Sequence, residues 1–442
     1  MTPNESLTAT VRLQELLRTD LLQPLTTLFP SELVSSFKAK HQSTKRDRVF
    51  TDENTLLTMI VSAVQEDKTL QQSVKIFSQI FEQRAAQVRR EEAEMLLEQK
   101  QADQQISRPG RRRLYQSKLP KSISSKLSTN TAAFTKARQR LAEELVREVF
   151  TYSARLDATA PFLWHNRPCY NTDGTYLQMQ DTPELKKKFY VTQGDSAYPQ
   201  ALLQAIVHQG TGQVVDFSLG TRHQSELELV CPLIDRLPVG SLLLADDLYN
   251  SYAIFALMKH LGCDLIVPGK RVRNYTVVKQ IAPGDEIVTL SKNKTPDWWK
   301  REWPLPPTLT MRRLTYLSPA DNKTEWMIYT TIEDETIPKT DIVIKYSTRW
   351  DIETTIREMK TVMEINILRS KSDNMVLKEL TVSLIAYNML RKIIAQSVQK
   401  TDFPPKEDIF QELFALNKDI LIDKKGRIYQ NWSPGRHGYT IE

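Results

Sequence analysis

The sequence predicts a mixed α/β fold: a mixed β-sheet flanked by helices, with a helical N-terminal region before it and a β-rich insertion within it. Three observations lead there. Apolar residues recur at helical spacing as far as about Phe150, strand-like runs alternate with helices from Ala160 to Val267, and a strand-and-turn stretch from Pro268 to about Pro338 gives way to helices again. At 442 residues the chain exceeds what one small core fills. The expected division is a helical N-terminal region (1–155), a first core part (156–267), the β-rich insertion (268–338), a second core part (339–395) and a C-terminal region (396–442).

Taken in order, Leu13, Leu16, Leu17 and Leu21 recur at helix spacing, as do Leu56, Met59, Ile60 and Ala63 after the turn-like Thr51-Asp52. From Phe81 to Gln105 the composition is that of a solvated helix, leading into a basic segment that contains Pro and Gly. One amphipathic helix is then expected, with Phe134, Ala137, Leu141, Leu145 and Val149 on its stripe. Tyr170 to Met179 reads as a strand, and Gln200 to His208 and Gln213 to Leu219 read as a hairpin around Gln209-Gly210-Thr211-Gly212. A helix (Ser225 to Leu237), a short strand (Ser241 to Ala245), a helix (Tyr249 to Leu261) and a strand (Cys263 to Val267) follow. Three strands, helix, strand, helix, strand is the order of ribonuclease H-like nuclease folds. The insertion carries Val277-Val278, the turn Pro283-Gly284-Asp285, Ile287 to Leu290, Met311 to Leu317 and Trp326 to Thr331. Helices resume at Asp341 and run through Leu377 to Ala395, where Leu380, Leu384, Tyr387 and Ile394 form a stripe.

Sixty Lys and Arg against fifty-three Asp and Glu give a net charge of +7, which favours a polyanionic partner. Arg108, Arg111, Arg112, Arg113, Lys118, Lys121 and Lys126 lie in a stretch without an acid, a cationic patch suited to DNA phosphates. Cys169, Cys231 and Cys263 have no paired spacing, so neither a disulfide framework nor a thiolate zinc site is indicated, and a reducing, cytoplasmic setting is expected. No apolar run suits a signal segment or a bilayer span. The six histidines form no metal-ligand spacing, and a GxxxxGK[ST] phosphate loop is missing, which argues against ATP use.

Cutting a phosphodiester by in-line attack calls for an activated water or hydroxyl and a stabilised leaving oxygen, which a pair of divalent cations supplies. Mg2+ takes hard oxygen ligands and keeps several waters, so two or three clustered acids suffice. Asp173, followed by Gly174, sits in the first long strand, and Asp246 ends the apolar strand Leu242-Leu243-Leu244-Ala245, where open α/β sheets place ligand-binding groups. Either, taken alone, is equally read as a solvated strand-end acid or a helix cap. The segment from Tyr346 to Lys360 reads as one helix at roughly 100° per residue; relative to Tyr346, Arg349, Glu353 and Lys360 fall near roughly 300°, 340° and 320°, on one face. Ile352, Ile356, Met359 and Met363 form the adjoining apolar stripe. A surface i, i+4 pair of Arg349 and Glu353 is the plainer alternative. The functional reading has Glu353 on metal, with Arg349 and Lys360 on phosphates.

Tyr346, Arg349, Glu353 and Lys360 match the Tyr-x2-Arg-x3-Glu-x6-Lys signature of the insertion-sequence-four group of DDE transposases. Asp173-Gly174-Thr175 with Asp181-Thr182-Pro183-Glu184 resembles that family's first-aspartate block, and Ala245-Asp246 with Tyr249 its second. Ala386 to Arg391 is similar to the helix after its glutamate. The resemblance covers roughly Phe50 to Arg391. It implies a ribonuclease H-like core, a catalytic and two-metal-binding triad of Asp173, Asp246 and Glu353 loaded with Mg2+ or Mn2+, and a β insertion before the glutamate. It also implies cut-and-paste transfer of an insertion sequence, with terminal inverted repeats and target DNA as partners and a homodimer in the synaptic complex. Trp298, with Trp299 in reserve, is implied as the aromatic that holds a flipped base. Where the family commonly has Arg after the second aspartate this chain has Asp247, so the second acid is Asp246 or Asp247, with Asp246 preferred. The alternatives are a ribonuclease H-like nuclease without strand transfer and a non-catalytic DNA-binding descendant.

Overall fold

The computed structural model describes residues 28–41, 49–65, 68–75, 77–78, 94, 131–156, 163–189, 198–269, 274–292, 294–317, 324–361 and 363–399. The basic patch from Arg108 to Lys126, with Arg111, Arg112, Arg113, Lys118 and Lys121, lies outside them, as do Leu13 to Leu21 and the segment after 399. The chain falls into two compact units, Leu28–Lys392 and the pairing of Met1–Thr27 with Ile393–Glu442. Of the second unit only the last helical turns, to Gln399, are described.

Among the described residues, helices α1 (Ser31–Lys40) and α2 (Asp52–Ala63) come first. The Thr51 side chain caps α2 by accepting from the Asn54 N–H at 3.1 Å, and Asp52 and Glu53 complement the dipole of its first turn. The single helix expected over Phe134 to Val149 is two, α3 (Thr131–Arg140) and α4 (Glu143–Ser153). All five stripe residues are buried nonetheless. The break is supported from outside: Lys378 Nζ donates to the carbonyls of Arg138 and Gln139, which the end of α3 would otherwise leave unpaired.

The sheet is built from β1 (Leu163–Trp164), β2 (Arg167–Gln178), β3 (Gln200–His208), β4 (Val214–Thr221), β5 (Leu242–Leu244), β6 (Asp264–Pro268), β7 (Tyr275–Ala282), β8 (Asp285–Ser291), β9 (Thr308–Leu317) and β10 (Glu325–Thr330). Its order is β4-β3-β2-β5-β6-β10-β9-β8-β7, with β1 beside β2. The β2–β5 and β5–β6 pairs are parallel and the others antiparallel, so the sheet is mixed as expected. The strands of the β-rich stretch are continuous with this sheet, because β10 pairs with β6.

Between the strands lie α5 (Pro183–Lys188), α6 (Glu226–Ile234) and α7 (Tyr252–His260). Ser225 and Glu228 form a reciprocal capping box that starts α6. The helix expected from Tyr249 begins only at Tyr252, after a 3-10 turn, Asp247–Tyr249. Period-two alternation sorts the strands' side chains: Tyr170, Leu243, Leu265 and Val267 join one core with α6 and α7, while Cys169, Leu242, Leu244 and Ile266 join a second with Ile342. Helices α8 (Lys339–Ser347), α9 (Asp351–Thr361) and α10 (Asp373–Gln399) are the last elements among the described residues. No helix among the described residues is long and apolar enough to cross a membrane.

His208, at the end of β3, is buried with Nδ1 3.1 Å from Thr211 Oγ1. Burial, then the Lys345 charge, lowers its pKa from 6.5 to about 4. The unfolded chain therefore takes up this proton first: the contribution to stability is complete above about pH 6.5 and is lost as pH falls through about 4, with an upper limit of about 3 kcal/mol. Urea unfolding at pH 7 and pH 4.5 should show the loss, and His208→Gln should shrink the difference between them.

Candidate active site

The parallel register pairs Asn171 of β2 with Leu244 of β5. Continued by two residues along extended backbone it sets Asp173 beside Asp246, on strands roughly 4.8 Å apart. Alternation turns both acids to the face that carries Leu242 and Leu244, where α8 packs. Asp173 Oδ1 accepts from the Gly174 N–H at 2.8 Å, and Asp246 Oδ1 accepts from the Leu248 N–H at 2.9 Å. Asp246 thus caps its 3-10 turn and still stands next to Asp173.

The third acid arrives from α9. Tyr346 to Lys360 is not one helix: α8 ends at Ser347, and a 3-10 turn, Thr348–Trp350, precedes α9. The tighter turn advances about 120° per residue, so the single-helix angles do not hold across it. The four polar residues nevertheless stay together. Arg349 is buried and donates through Nη2 to Glu353 Oε1 at 3.2 Å, and its charge acts on Tyr346. Ile352, Ile356, Met359 and Met363 are buried, docking α9. On its other side α9 is clamped to α10 by Glu358, which meets both Arg391 and the Tyr387 hydroxyl. Gly212, with φ of 68°, makes room for this clamp: a Cβ there would lie 2.8 Å from the Arg391 guanidinium carbon.

The electrostatics tie these parts into one cluster. The Asp173 carboxyl is raised above the usual range, by burial first; its own Gly174 N–H and Arg349 oppose this, and Asp246 and Glu353 add to it. Burial lowers the Lys360 ammonium, and Asp173 counters that. Tyr346 is pushed up to about 12, chiefly by burial. Asp173, Asp246, Glu353, Arg349 and Lys360 therefore lie within reach of one another's charges, and Tyr346 within reach of Arg349 and Asp246. Asp246, the preferred acid of its pair, is among the charges that act on Asp173.

Trp298 is half-buried against the core on the α7 side of the sheet, 6.0 Å from Trp299 in an edge contact, and its described ring contacts are not with the acids. The sequence reading passed over three residues. Trp350 is 61% exposed and lies under the Arg349 guanidinium at 4.5 Å. Asn171, 1% exposed and on the same strand face as Asp173, has no partner for either amide atom. Glu226, the first residue of α6, donates nothing but accepts from the Tyr249 hydroxyl at 3.3 Å, within reach of the charges of Asp173 and Asp246. Only the capping box of Ser225 and Glu228, which fixes where α6 starts, hinted at it.

Residues 164–389, which contain all of these groups, match the family model of the transposase DDE domain. The chain belongs to this family. Transposase InsG for insertion sequence element IS4 of Escherichia coli (strain K12) is 29% identical over 316 residues, 69% of each chain. Putative transposase InsZ of the same strain is 26% identical over 140 residues, 30% of this chain and 47% of that one. Among solved structures, the piggyBac transposase synaptic complex with hairpin DNA is similar with a TM-score of 0.36 at 11% identity, over 92% of this chain and 79% of that one. A DDE transposase is a DNA-cleaving and strand-joining enzyme, and its domain generally uses divalent metal ions.

The donor set fits such an ion. The carboxylates of Asp246 and Glu353 act on Asp173 by their charge, and the unpaired Asn171 amide lies two residues before Asp173 on the same strand face. Among the described residues no three His, Cys, Asp or Glu side chains close around a single ion as they stand. Mg2+ bound to DNA requires only one or two carboxylates, with water and substrate phosphate completing its shell.

Proposed function

We infer that this DDE transposase excises and inserts a mobile element by cut-and-paste transfer, and that it belongs to the insertion-sequence-four group through Tyr346, Arg349, Glu353 and Lys360. What supports the reading is that the charges of Asp246, Glu353 and Arg349 all bear on Asp173, and that of Asp173 on Lys360. Divalent ions, when bound, would activate the attacking oxygen and stabilise the leaving one. Asp173, Asp246 and Glu353 would hold them, Mg2+ by preference with Mn2+ as a substitute. Arg349 and Lys360 grip phosphate oxygens next to the scissile bond, and Tyr346 steadies the Arg349 guanidinium. Metal held by Glu353 would compete with its pairing to Arg349, whose guanidinium would then be available to DNA.

The same reading assigns a ribonuclease H-like core to 156–267 and 339–395, the β-rich insertion to 268–338, recognition of inverted repeats to 1–155, and a separate C-terminal region to 396–442. It places the protein on DNA in the cytoplasm, with two protomers joining the element ends in synapsis. Trp298 keeps its base-holding role through the exposed part of its ring. The basic patch, with Arg111, Arg112, Arg113, Lys118 and Lys121, supplies phosphate contacts.

The test is incubation of the purified protein with labelled DNA carrying the element's ends and a target plasmid, with and without Mg2+. Metal-dependent cleavage and joined product are expected. Cleavage without joining would leave a nuclease, and end binding without cleavage a non-catalytic descendant. In the same binding assay, Ala at Arg111, Arg112 and Arg113 should reduce the slope of log affinity against log salt by about 0.9 per lost phosphate contact. An unchanged slope removes the patch from the interface.

A further inference from the structure

Glu226 reaches the acids from the opposite side of the sheet. A Cβ built on Gly174 would lie 2.5 Å from the Glu226 carboxyl carbon and 2.8 Å from Oε2, so the carboxylate fills the space that glycine leaves beside Asp173. A relay orients it. Gln204 Nε2 donates to Thr172 Oγ1 at 2.8 Å and to the Tyr249 hydroxyl oxygen at 2.7 Å. The phenol's own hydrogen is thereby directed to Glu226 Oε2. That commits one carboxylate oxygen and leaves Oε1 for another partner.

A first-turn acid on α6 gains the same helix-dipole interaction when it points into water. Here it is turned instead toward Asp173 and Asp246, an arrangement of like charges that is unfavourable unless a cation joins them. The unpaired, buried Asn171 amide, two residues before Asp173, independently marks the space beside that acid as one lacking a polar occupant.

We propose that Glu226 is a fourth carboxylate of the active site, presenting Oε1 to the divalent cation held by Asp173 and Asp246, with Tyr249 as the residue that orients it. This rests on the metal site of the proposed function. Gly174, inside β2 and just past the level at which β5 ends, then has a specific duty, to let a carboxylate from α6 approach Asp173.

The experiment is Mn2+ titration of the full-length protein without DNA, following the free-ion paramagnetic resonance signal, with thermal unfolding checked for each variant. Asp173→Asn should abolish the site, Glu226→Gln should weaken it about tenfold, and Tyr249→Phe by a smaller factor. Gly174→Ala keeps every carboxylate but displaces Glu226, and should weaken Mn2+ as Glu226→Gln does; it serves as the second route should Glu226→Gln fail to fold. Wild-type affinity in Glu226→Gln and Gly174→Ala, with loss in Asp173→Asn, overturns the inference and leaves the three-acid site standing. Wild-type affinity in all of them removes the metal site itself.

Discussion

Replacing Glu353 by Gln should lower metal-dependent cleavage of element ends by about three orders of magnitude or more, roughly 4 kcal/mol in the barrier, while end binding persists. The side chain is 47% exposed and, among the described residues, pairs with Arg349, an i, i+4 contact, so its loss costs little in folding. Gln keeps the shape and can still accept from Arg349, but it lacks the charge that binds a hard cation. DNA affinity should hold or rise slightly, since a negative charge beside phosphates is removed. Single-turnover cleavage in Mg2+, run alongside a binding isotherm, separates the effects. Cleavage at the wild-type rate would remove Glu353 from the chemistry.

Arg312→Ala should destabilise the protein by about 3–5 kcal/mol, because it leaves a buried carboxylate without its partner. Arg312 of β9 and Asp285 of β8 have side chains only 1% and 3% exposed. Their contact is bidentate, Nε to Oδ1 at 2.8 Å and Nη2 to Oδ2 at 2.6 Å. Nη1 also donates to the carbonyls of Asp334 and Ile337, at 2.8 and 3.0 Å, and so holds the loop that leads into α8. The same substitution should therefore loosen the approach to Tyr346 and Arg349. Replacing both partners together by apolar residues, Arg312→Met with Asp285→Leu, should be milder than Arg312→Ala, since no charge is stranded. Chemical denaturation of the two variants decides it; equal losses would show that the pair carries no buried-charge penalty.

Much of the site was legible locally. Asp173 stood out through its strand and Gly174, Asp246 through the apolar run before it, and Glu353 through its spacing from Tyr346, Arg349 and Lys360. Those cues act over a few residues, as strand alternation and helical periodicity do. The 3-10 turn at Thr348–Trp350 escaped because the spacing of the polar residues suits a tighter turn about as well as an α-helix. The break between α3 and α4 escaped because the carbonyls at the end of α3 are satisfied by Lys378, more than two hundred residues away.

The order of strands and helices, the caps at Thr51 and Ser225, and the alternation that gives each strand two faces were determined by the sequence alone, since each depends on backbone geometry and near neighbours. Tertiary structure alone decided that β2 and β5 lie parallel with Asp173 level with Asp246, that Glu226 crosses to them over Gly174, and that Arg312 finds Asp285. Those meetings join residues remote along the chain, and sheet register and helix docking, which fix them, are set by the packing of the whole core.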